Sequence, residues 1–136
     1  DTVNREMPSH VVQRVVEQLN DRGVALSNAE ILVLGVAYKP DVSDTRESPA
    51  IDIINELEDW NASVAYHDPF VSELDILGER YESVELTTDR LAGADCVVLV
   101  TDHSQFDIGE IVDHSSLLFD TRNATAEYTG DNIVRL

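Results

Sequence analysis

Short apolar runs alternate with amphipathic helical segments along the chain, and this alternation restricts the fold more than any other feature. Residues 31–36 form a nearly continuous apolar run, typical of a strand that is buried on both faces. Similar runs occupy residues 63–66, 96–100 and 117–119. Strands that alternate with helices predict an α/β fold, here a doubly wound, Rossmann-like parallel sheet flanked by helices.

The sequence also predicts where the helices begin and end. Pro8 suits the first turn of a first helix, which Gly23 should end; Ser48 is the expected N-cap of a second helix, with Pro49 at its first position. Thr88 can cap a third. We expect residues 1–22 to be the end of a connecting helix and residues 23–136 to be the domain proper. The predicted helices are 7–20, 50–60, 88–91 and 106–112, and two short strands are predicted at 83–86 and 132–136, the latter at the sheet edge.

Charge limits the partners of the chain. Its 136 residues carry 27 acidic and 9 basic side chains, a net charge of -18, and Lys39 is the single lysine. Such acidity argues against binding to nucleic acid or to an anionic membrane surface. Dispersed acids with almost no lysine are typical of proteins adapted to high salt, so we interpret the source as an extreme halophile; the alternative is an ordinary acidic bacterial protein.

Cysteine usage and the chain start bear on location. Cys96 is the single cysteine, so no internal disulfide can form, which fits a reducing cytoplasm. It lies in a predicted buried strand, where a core thiol is favoured over a nucleophile. No apolar run reaches the roughly 20 residues of a membrane span. Because the chain begins at Asp1 without a methionine, we expect it to be a piece of a larger protein.

Cationic side chains follow two of the predicted strands. In parallel sheets, ligands bind beyond the carboxyl ends of the strands, where Lys39, Arg46 and Arg122 should lie. The first loop has Gly35 but lacks the G-x-G-x-x-G pattern that cradles a dinucleotide through backbone amides. Anion binding would therefore depend on side chains. The alternative for Arg46 is an ion pair with Asp44 or Glu47 that fixes the loop.

The run from Gly35 to Ala50, Gly-Val-Ala-Tyr-Lys-Pro-Asp-Val-Ser-Asp-Thr-Arg-Glu-Ser-Pro-Ala, resembles the signature of the C-terminal domain of the UDP-glucose/GDP-mannose dehydrogenase family. These NAD-dependent enzymes oxidise the C6 hydroxyl of a nucleotide sugar twice, giving a uronic acid. Four other stretches also resemble the family, in the right order: Asn4 with Met7-Pro8, Tyr66 to Pro69, Thr101 to Phe106, and Phe119 to Arg122.

The resemblance implies roles for single residues. Tyr38 and Lys39 match positions that contact the UDP-sugar, and Arg122 matches a UDP-binding position that in some members reaches the partner subunit's site. Arg46 matches a position that contacts the NAD phosphates. The family's catalytic cysteine and NAD fingerprint belong to domains outside this chain, so we expect no catalytic residue and no metal ligand here. The implied partners are those N-terminal and central domains and a second subunit in a homodimer.

Two questions stay open at this level. The Arg46–Ala50 run and Asp102-His103 are similar to the branch that oxidises UDP-N-acetylhexosamines, such as UDP-N-acetyl-D-mannosamine; the alternatives are a UDP-glucose 6-dehydrogenase or a non-catalytic, flavodoxin-like nucleotide-sensing module. His67 and Asp68 are expected to form a strand-closing turn rather than a ligand contact. His103 is expected either to touch ligand or to cap the following helix.

The high-salt interpretation makes a stability prediction. A net charge of -18 repels itself, and the screening length shrinks from roughly 10 Å at 0.1 M salt to roughly 3 Å at 1 M. The midpoint of thermal unfolding should therefore rise strongly between dilute buffer and molar NaCl. Circular dichroism measures both midpoints. Equal midpoints in the two solutions would contradict the adaptation to high salt.

Overall fold

A computed structural model describes the backbone of residues 2–136 and the side chains of residues 6–136. The predictions that concern Asp1 and the Asn4 side chain lie outside the described residues. The helices are α1 (Thr2–Asp21), α2 (Pro49–Asp59), α3 (Thr88–Gly93) and α4 (Ile108–His114), with a short 3-10 turn at Leu26–Asn28; the strands are β1 (Glu30–Leu34), β2 (Ser63–His67), β3 (Glu73–Ile76), β4 (Glu79–Glu82), β5 (Cys96–Leu99), β6 (Leu118–Asp120) and β7 (Ile133–Arg135).

Five strands form one parallel sheet in the order β2-β1-β5-β6-β7, which confirms the predicted fold class. The chain moves outward from β1 to β2 and then crosses to β5 on the other side of β1, so the winding reverses between β1 and β5. Apolar side chains of α1 and α2 pack on one face of the sheet, and those of α3 and α4 pack on the other. The carboxyl ends of β1 and β5 consequently border a crevice where such sheets bind ligands.

The start of α2 confirms the sequence prediction. The Ser48 hydroxyl accepts a hydrogen bond from the backbone N–H of Ala50 (3.1 Å), and Pro49 occupies the first helical position, where its missing N–H costs nothing. Ile53, Ile54 and their apolar neighbours then bury one face of the helix against the sheet. This cap fixes where the loop after β1 must end.

The first helix differs from the prediction at its start. It begins at Thr2, so Pro8 lies inside it rather than in its first turn. Proline removes one backbone donor, a local loss that the packing of Val11, Val15 and other residues against α2 and the sheet offsets. At the other end Gly23 has φ +77°, and the N–H of Val24 returns to Leu19 O (2.9 Å), the expected glycine stop. The proposed domain boundary after residue 22 stays a prediction.

A hairpin occupies a stretch for which no structure was predicted. β3 and β4 pair antiparallel around Leu77-Gly78, and the side chain of Leu77 is 85% exposed at the tip. The strand predicted at 83–86 is wrong, because only Ser83 forms a single bridge, to Tyr66 of β2. The hairpin and this bridge lie along the outer edge of the sheet.

Capping places the starts of two helices differently from the prediction. Thr87 rather than Thr88 caps α3, through its hydroxyl and the N–H of Arg90 (3.1 Å). The helix predicted at 106–112 begins at Ile108, because the carboxylate of Asp107 accepts the N–H of Glu110 (3.2 Å). The edge position of β7 is confirmed.

The strand predicted at 31–36 ends at Leu34 because Gly35 turns the chain. Gly35 has φ +84°, and a Cβ atom there would lie 2.4 Å from the carbonyl oxygen of Thr101. Glycine is therefore required both by the backbone angle and by the close approach of the loops after β1 and β5. This contact brings the two strand ends together at the crevice.

We predict that Gly35→Ala destabilises the protein more than Gly23→Ala does. Both glycines have positive φ, but Gly23 has no atom within 4 Å of the added methyl group. The clash at Gly35 should cost roughly 1–3 kcal/mol beyond the shared backbone penalty. Urea unfolding at constant salt measures the difference, and equal losses for the two variants would mean that the loop moves aside freely.

Candidate functional site

A cleft of about 520 Å³ opens at the carboxyl ends of β1 and β5. Three of the four predicted site residues, Tyr38, Lys39 and Arg122, line it together. They come from two loops, the Lys39 loop (residues 35–48, between β1 and α2) and the loop after β6. The cleft is lined by Met7, Tyr38, Lys39, Pro40, Glu47, Pro49, Asp52, Val100, Thr101 and Arg122.

Lys39 and Arg122 are the two cationic side chains that line the cleft. The Lys39 ammonium lies 5.4 Å from the centre of the Tyr38 ring, within the range of a cation–π contact. Tyr38 is about half exposed, so the phenol can face a ligand as well as the ammonium group. An ammonium and a guanidinium that share one cleft are suited to bind a diphosphate.

Two carboxylates, Glu47 and Asp52, share the same cleft, and sequence reasoning missed both. Asp52 lies in the first turn of α2, directly after the Lys39 loop, so its position could have been read from the predicted N-cap. Glu47 adopts φ +64°, a left-handed conformation that is uncommon for a residue with a side chain. Carboxylates beside cations allow the cleft to accept hydrogen bonds from ligand hydroxyls while it binds an anion.

Arg46, the fourth predicted site residue, does not line the cleft. Its guanidinium makes two hydrogen bonds to the Asp44 carboxylate (Nε–Oδ1 3.0 Å, Nη2–Oδ2 2.7 Å), so the ion pair considered as an alternative is formed. These side-chain bonds, with a further one from the Arg46 backbone, lower the pKa of Asp44 to about 2. The Arg46 side chain is 86% exposed, which leaves its other N–H groups open to solvent.

Asp68 and His103 lie beneath the Lys39 loop rather than in the cleft. Asp68 closes β2 as predicted, because its Oδ1 accepts the N–H of Phe70 (2.8 Å) in a turn. Its Oδ2 also accepts the N–H groups of Val36 (2.8 Å) and Ala37 (3.2 Å) and contacts His103 Nε2 (2.9 Å). His103 does not cap α4, as one prediction had it, because Asp107 does.

His67 also lies away from the cleft. Its Nδ1 contacts the carbonyl oxygen of Val84 (2.7 Å), and its ring packs near Phe106 at the outer edge of the sheet. Cys96 is fully buried, as predicted, and burial raises the pKa of its thiol to about 12. A thiol that stays protonated is not a nucleophile, so Cys96 is a core residue.

Asp120 holds the loop that carries Arg122. Its buried carboxylate accepts the N–H groups of Arg122 (2.9 Å), Ala124 (3.2 Å) and Thr125 (2.8 Å), and the Thr125 hydroxyl (2.6 Å). Burial alone would raise the pKa of Asp120, but these hydrogen bonds outweigh it and leave the pKa below its usual value. The loop also contains Asn123 at φ +61°. The backbone of Arg122 is therefore fixed before any ligand binds.

Among the residues whose side chains are described, no group of three or more His, Cys, Asp or Glu side chains could hold a metal ion. None of the described helices is long and apolar enough to cross a membrane.

Comparisons with known proteins agree with the fold and with the motifs. Residues 32–127 match the UDP-binding domain of the UDP-glucose/GDP-mannose dehydrogenase family. A UDP-N-acetyl-D-mannosamine dehydrogenase of Methanococcus maripaludis is 34% identical over 130 residues, which cover 89% of this chain and 28% of the relative. A UDP-N-acetyl-D-glucosamine 6-dehydrogenase of Pseudomonas aeruginosa is 30% identical over 104 residues, which cover 76% of this chain and 24% of the relative.

A solved structure has the same fold. The UDP-D-ManNAc dehydrogenase of Pyrococcus horikoshii superimposes with a TM-score of 0.80 at 26% identity, over 98% of this chain and 31% of that protein. The chain thus spans less than a third of the length of these relatives.

We predict that Asp120→Asn destabilises the protein by roughly 2 kcal/mol or more at neutral pH, because an amide cannot accept all the hydrogen bonds that the carboxylate accepts. A folded-state pKa below the unfolded value stabilises the protein above that unfolded value, and the contribution is lost as pH falls through the folded pKa. The gap between variant and unchanged protein should therefore narrow below about pH 4.

Asp113→Asn, at an exposed position on α4, is the matched control for that measurement. Chemical unfolding across a pH series measures the free energy of unfolding of both variants and of the unchanged protein. A gap that stays constant with pH would mean that the Asp120 charge contributes nothing and that only the shape of the side chain matters.

Proposed function

The chain belongs to the UDP-glucose/GDP-mannose dehydrogenase family, and from this premise we propose that it is the C-terminal, UDP-binding part of an NAD-dependent UDP-sugar 6-dehydrogenase. The proposed substrate is UDP-N-acetyl-D-mannosamine, oxidised to its uronic acid. The names of the relatives described above, most of all that of the Methanococcus maripaludis protein, support the choice of sugar.

One observation carries the proposal for the nucleotide. Lys39 and Arg122, from two different strand ends, line the same cleft in a chain whose net charge is -18. A uniformly acidic surface would repel a diphosphate, whereas in this cleft the charges of Glu47 and Asp52 are balanced by two cations, each of which can contact a phosphate group. Tyr38 adds an aromatic face beside them, and the carboxylates of Glu47 and Asp52 can accept hydrogen bonds from hydroxyl groups.

For NAD we propose a smaller contribution from this chain. When bound, NAD accepts the hydride that leaves the sugar carbon. The Lys39 loop has no glycine-rich turn for a pyrophosphate, but the exposed N–H groups of Arg46 are suited to one phosphate contact from outside the cleft. Asp44 holds the guanidinium in place for that contact. The remainder of the NAD site is proposed to belong to N-terminal and central domains.

The proposed setting follows from the same family. We propose that the enzyme acts in the cytoplasm of a halophile and that it forms a homodimer. In the dimer Arg122 could serve the cleft of its own chain or that of the partner, because it projects from a loop at the open end of the sheet. Because Cys96 is buried, we propose that the catalytic cysteine belongs to another part of the enzyme.

The test is a titration of the chain with UDP at several salt concentrations, in which calorimetry and NMR chemical shifts report binding. Lys39→Ala and Arg122→Ala should each weaken UDP binding roughly tenfold to a hundredfold, since each removes a charge-assisted hydrogen bond. Added salt should weaken binding to the unchanged chain more than binding to either variant.

Arg80→Ala is the control of equal charge change, because Arg80 pairs with Glu73 on the hairpin, outside the cleft. It should bind UDP as the unchanged chain does. Equal losses in all three variants would mean that binding responds to net charge alone. Thermal midpoints that fall as far as that of Ile53→Ala, or no binding by the unchanged chain at millimolar UDP, would overturn the nucleotide site.

A further inference from the structure

We propose that His103 is a positioning residue that, with Asp68, holds the backbone on both sides of Tyr38-Lys39 and so presents these side chains to the cleft. The proposal rests on the function proposed above and adds to it a group that never touches ligand. His103 is absent from the lining of the cleft, and its side chain, like that of Asp68, has no exposed surface.

The hydrogen bonds of His103 define which ring nitrogen donates and which accepts. The backbone N–H of Asp41 donates to Nδ1 (2.9 Å), so Nδ1 carries no proton. Nε2 must then carry the proton of the neutral ring, and it donates to Asp68 Oδ2 (2.9 Å). Both ring nitrogens are therefore used, and each is tied to a different segment of the chain.

Through these two bonds, one of them by way of Asp68, His103 supports both ends of the turn at residues 38–40. Asp68 Oδ2 binds the N–H groups of Val36 and Ala37 before the turn, and His103 Nδ1 binds the N–H of Asp41 after it. The three residues between, 38–40, all line the cleft. The carbonyl oxygen of Ala37 also accepts the Thr101 hydroxyl (2.6 Å).

The far end of the turn needs this support. Asp41 adopts φ +64°, a conformation that persists when surrounding contacts hold it. His103 binds its backbone, while the backbone N–H and hydroxyl of Ser104 bind its carboxylate. Without these contacts the turn would have to be ordered when the ligand binds.

The ring of His103 is kept in place by its neighbours. Phe70 and Phe106 pack against it with ring centres 5.0 Å and 5.5 Å away. Apolar neighbours keep water from competing for Nδ1 and Nε2, so the two hydrogen bonds act in a low dielectric, where they are stronger. The position therefore favours a rigid ring with one donor and one acceptor.

Two substitutions separate the two ends of the ring. His103→Gln keeps a nitrogen donor that can reach Asp68 but loses the acceptor for the Asp41 N–H. His103→Asn keeps an oxygen acceptor that can reach the Asp41 N–H but loses the bond to Asp68. Ser115→Ala is the control, because it removes one buried hydrogen bond, to Ile111 O, at the C-cap of α4 and outside the cleft lining.

Amide hydrogen exchange and UDP titration are measured on all three variants and on the unchanged chain. In His103→Gln we expect exchange at Asp41 to accelerate at least tenfold and UDP affinity to fall roughly tenfold or more, since ordering each freed residue costs about 1–2 kcal/mol. In His103→Asn both quantities should recover most of the way toward the unchanged chain. Ser115→Ala should leave both unchanged.

Equal UDP affinities for His103→Gln and the unchanged chain would overturn the proposal, as would affinities that simply follow the thermal midpoints of the variants. If the unchanged chain fails to bind UDP, the proposed function fails, and the exchange comparison still decides whether His103 holds the turn. Exchange at Asp41 that is the same in all variants would overturn the positioning role by itself.

Discussion

One oxygen atom, Asp68 Oδ2, joins the loops that follow three neighbouring strands, and two of these strands, β1 and β5, end at the cleft. It accepts hydrogen bonds from the start of the Lys39 loop and from His103, which follows β5, while Asp68 itself follows β2. The ends of three neighbouring strands are thereby joined at one buried carboxylate. Leaving such a group partly unpaired is costly inside a protein, so each of the three bonds stabilises the loop that it reaches. The cleft is a consequence of this joint as much as of the sheet.

The fold was readable from the sequence because each signal was local. Continuous apolar runs marked the central strands, and Ser48-Pro49 marked the start of α2 within one residue. The β3–β4 hairpin was missed because its strands are rich in Glu and lack the Asn-Gly turn that usually marks a hairpin. Its alternation of exposed Glu73 and Asp75 with buried Leu74 and Ile76 was a readable signal that composition obscured.

The candidate site also has a part that could be predicted from the sequence and a part that could not. The meeting of Tyr38, Lys39 and Arg122 in one cleft could be predicted, because the carboxyl ends of parallel strands lie at the same edge of a sheet. The rest depended on contacts between residues far apart in sequence, such as the bond from His103 to the Asp41 backbone across 62 positions. A histidine between polar residues gives no local sign of which backbone group it binds. For Arg46, in contrast, neighbouring residues allowed two predictions, a phosphate contact or an ion pair with Asp44 or Glu47. The structure shows the ion pair with Asp44.

The two outer strands of the sheet have a consequence for how chains behave when crowded. Along β2, the N–H of Val84 binds Tyr66 O and the Ser83 hydroxyl binds the N–H of Asp68. Along β7, Gly130 O accepts a hydrogen bond from the N–H of Ile133, and the Arg14 guanidinium donates one to Arg135 O. Concentrated salt removes the mutual repulsion of acidic proteins, and some salts strengthen apolar association. Under those conditions charge no longer separates neighbouring copies, and these occupied backbone groups are what resists strand-to-strand aggregation.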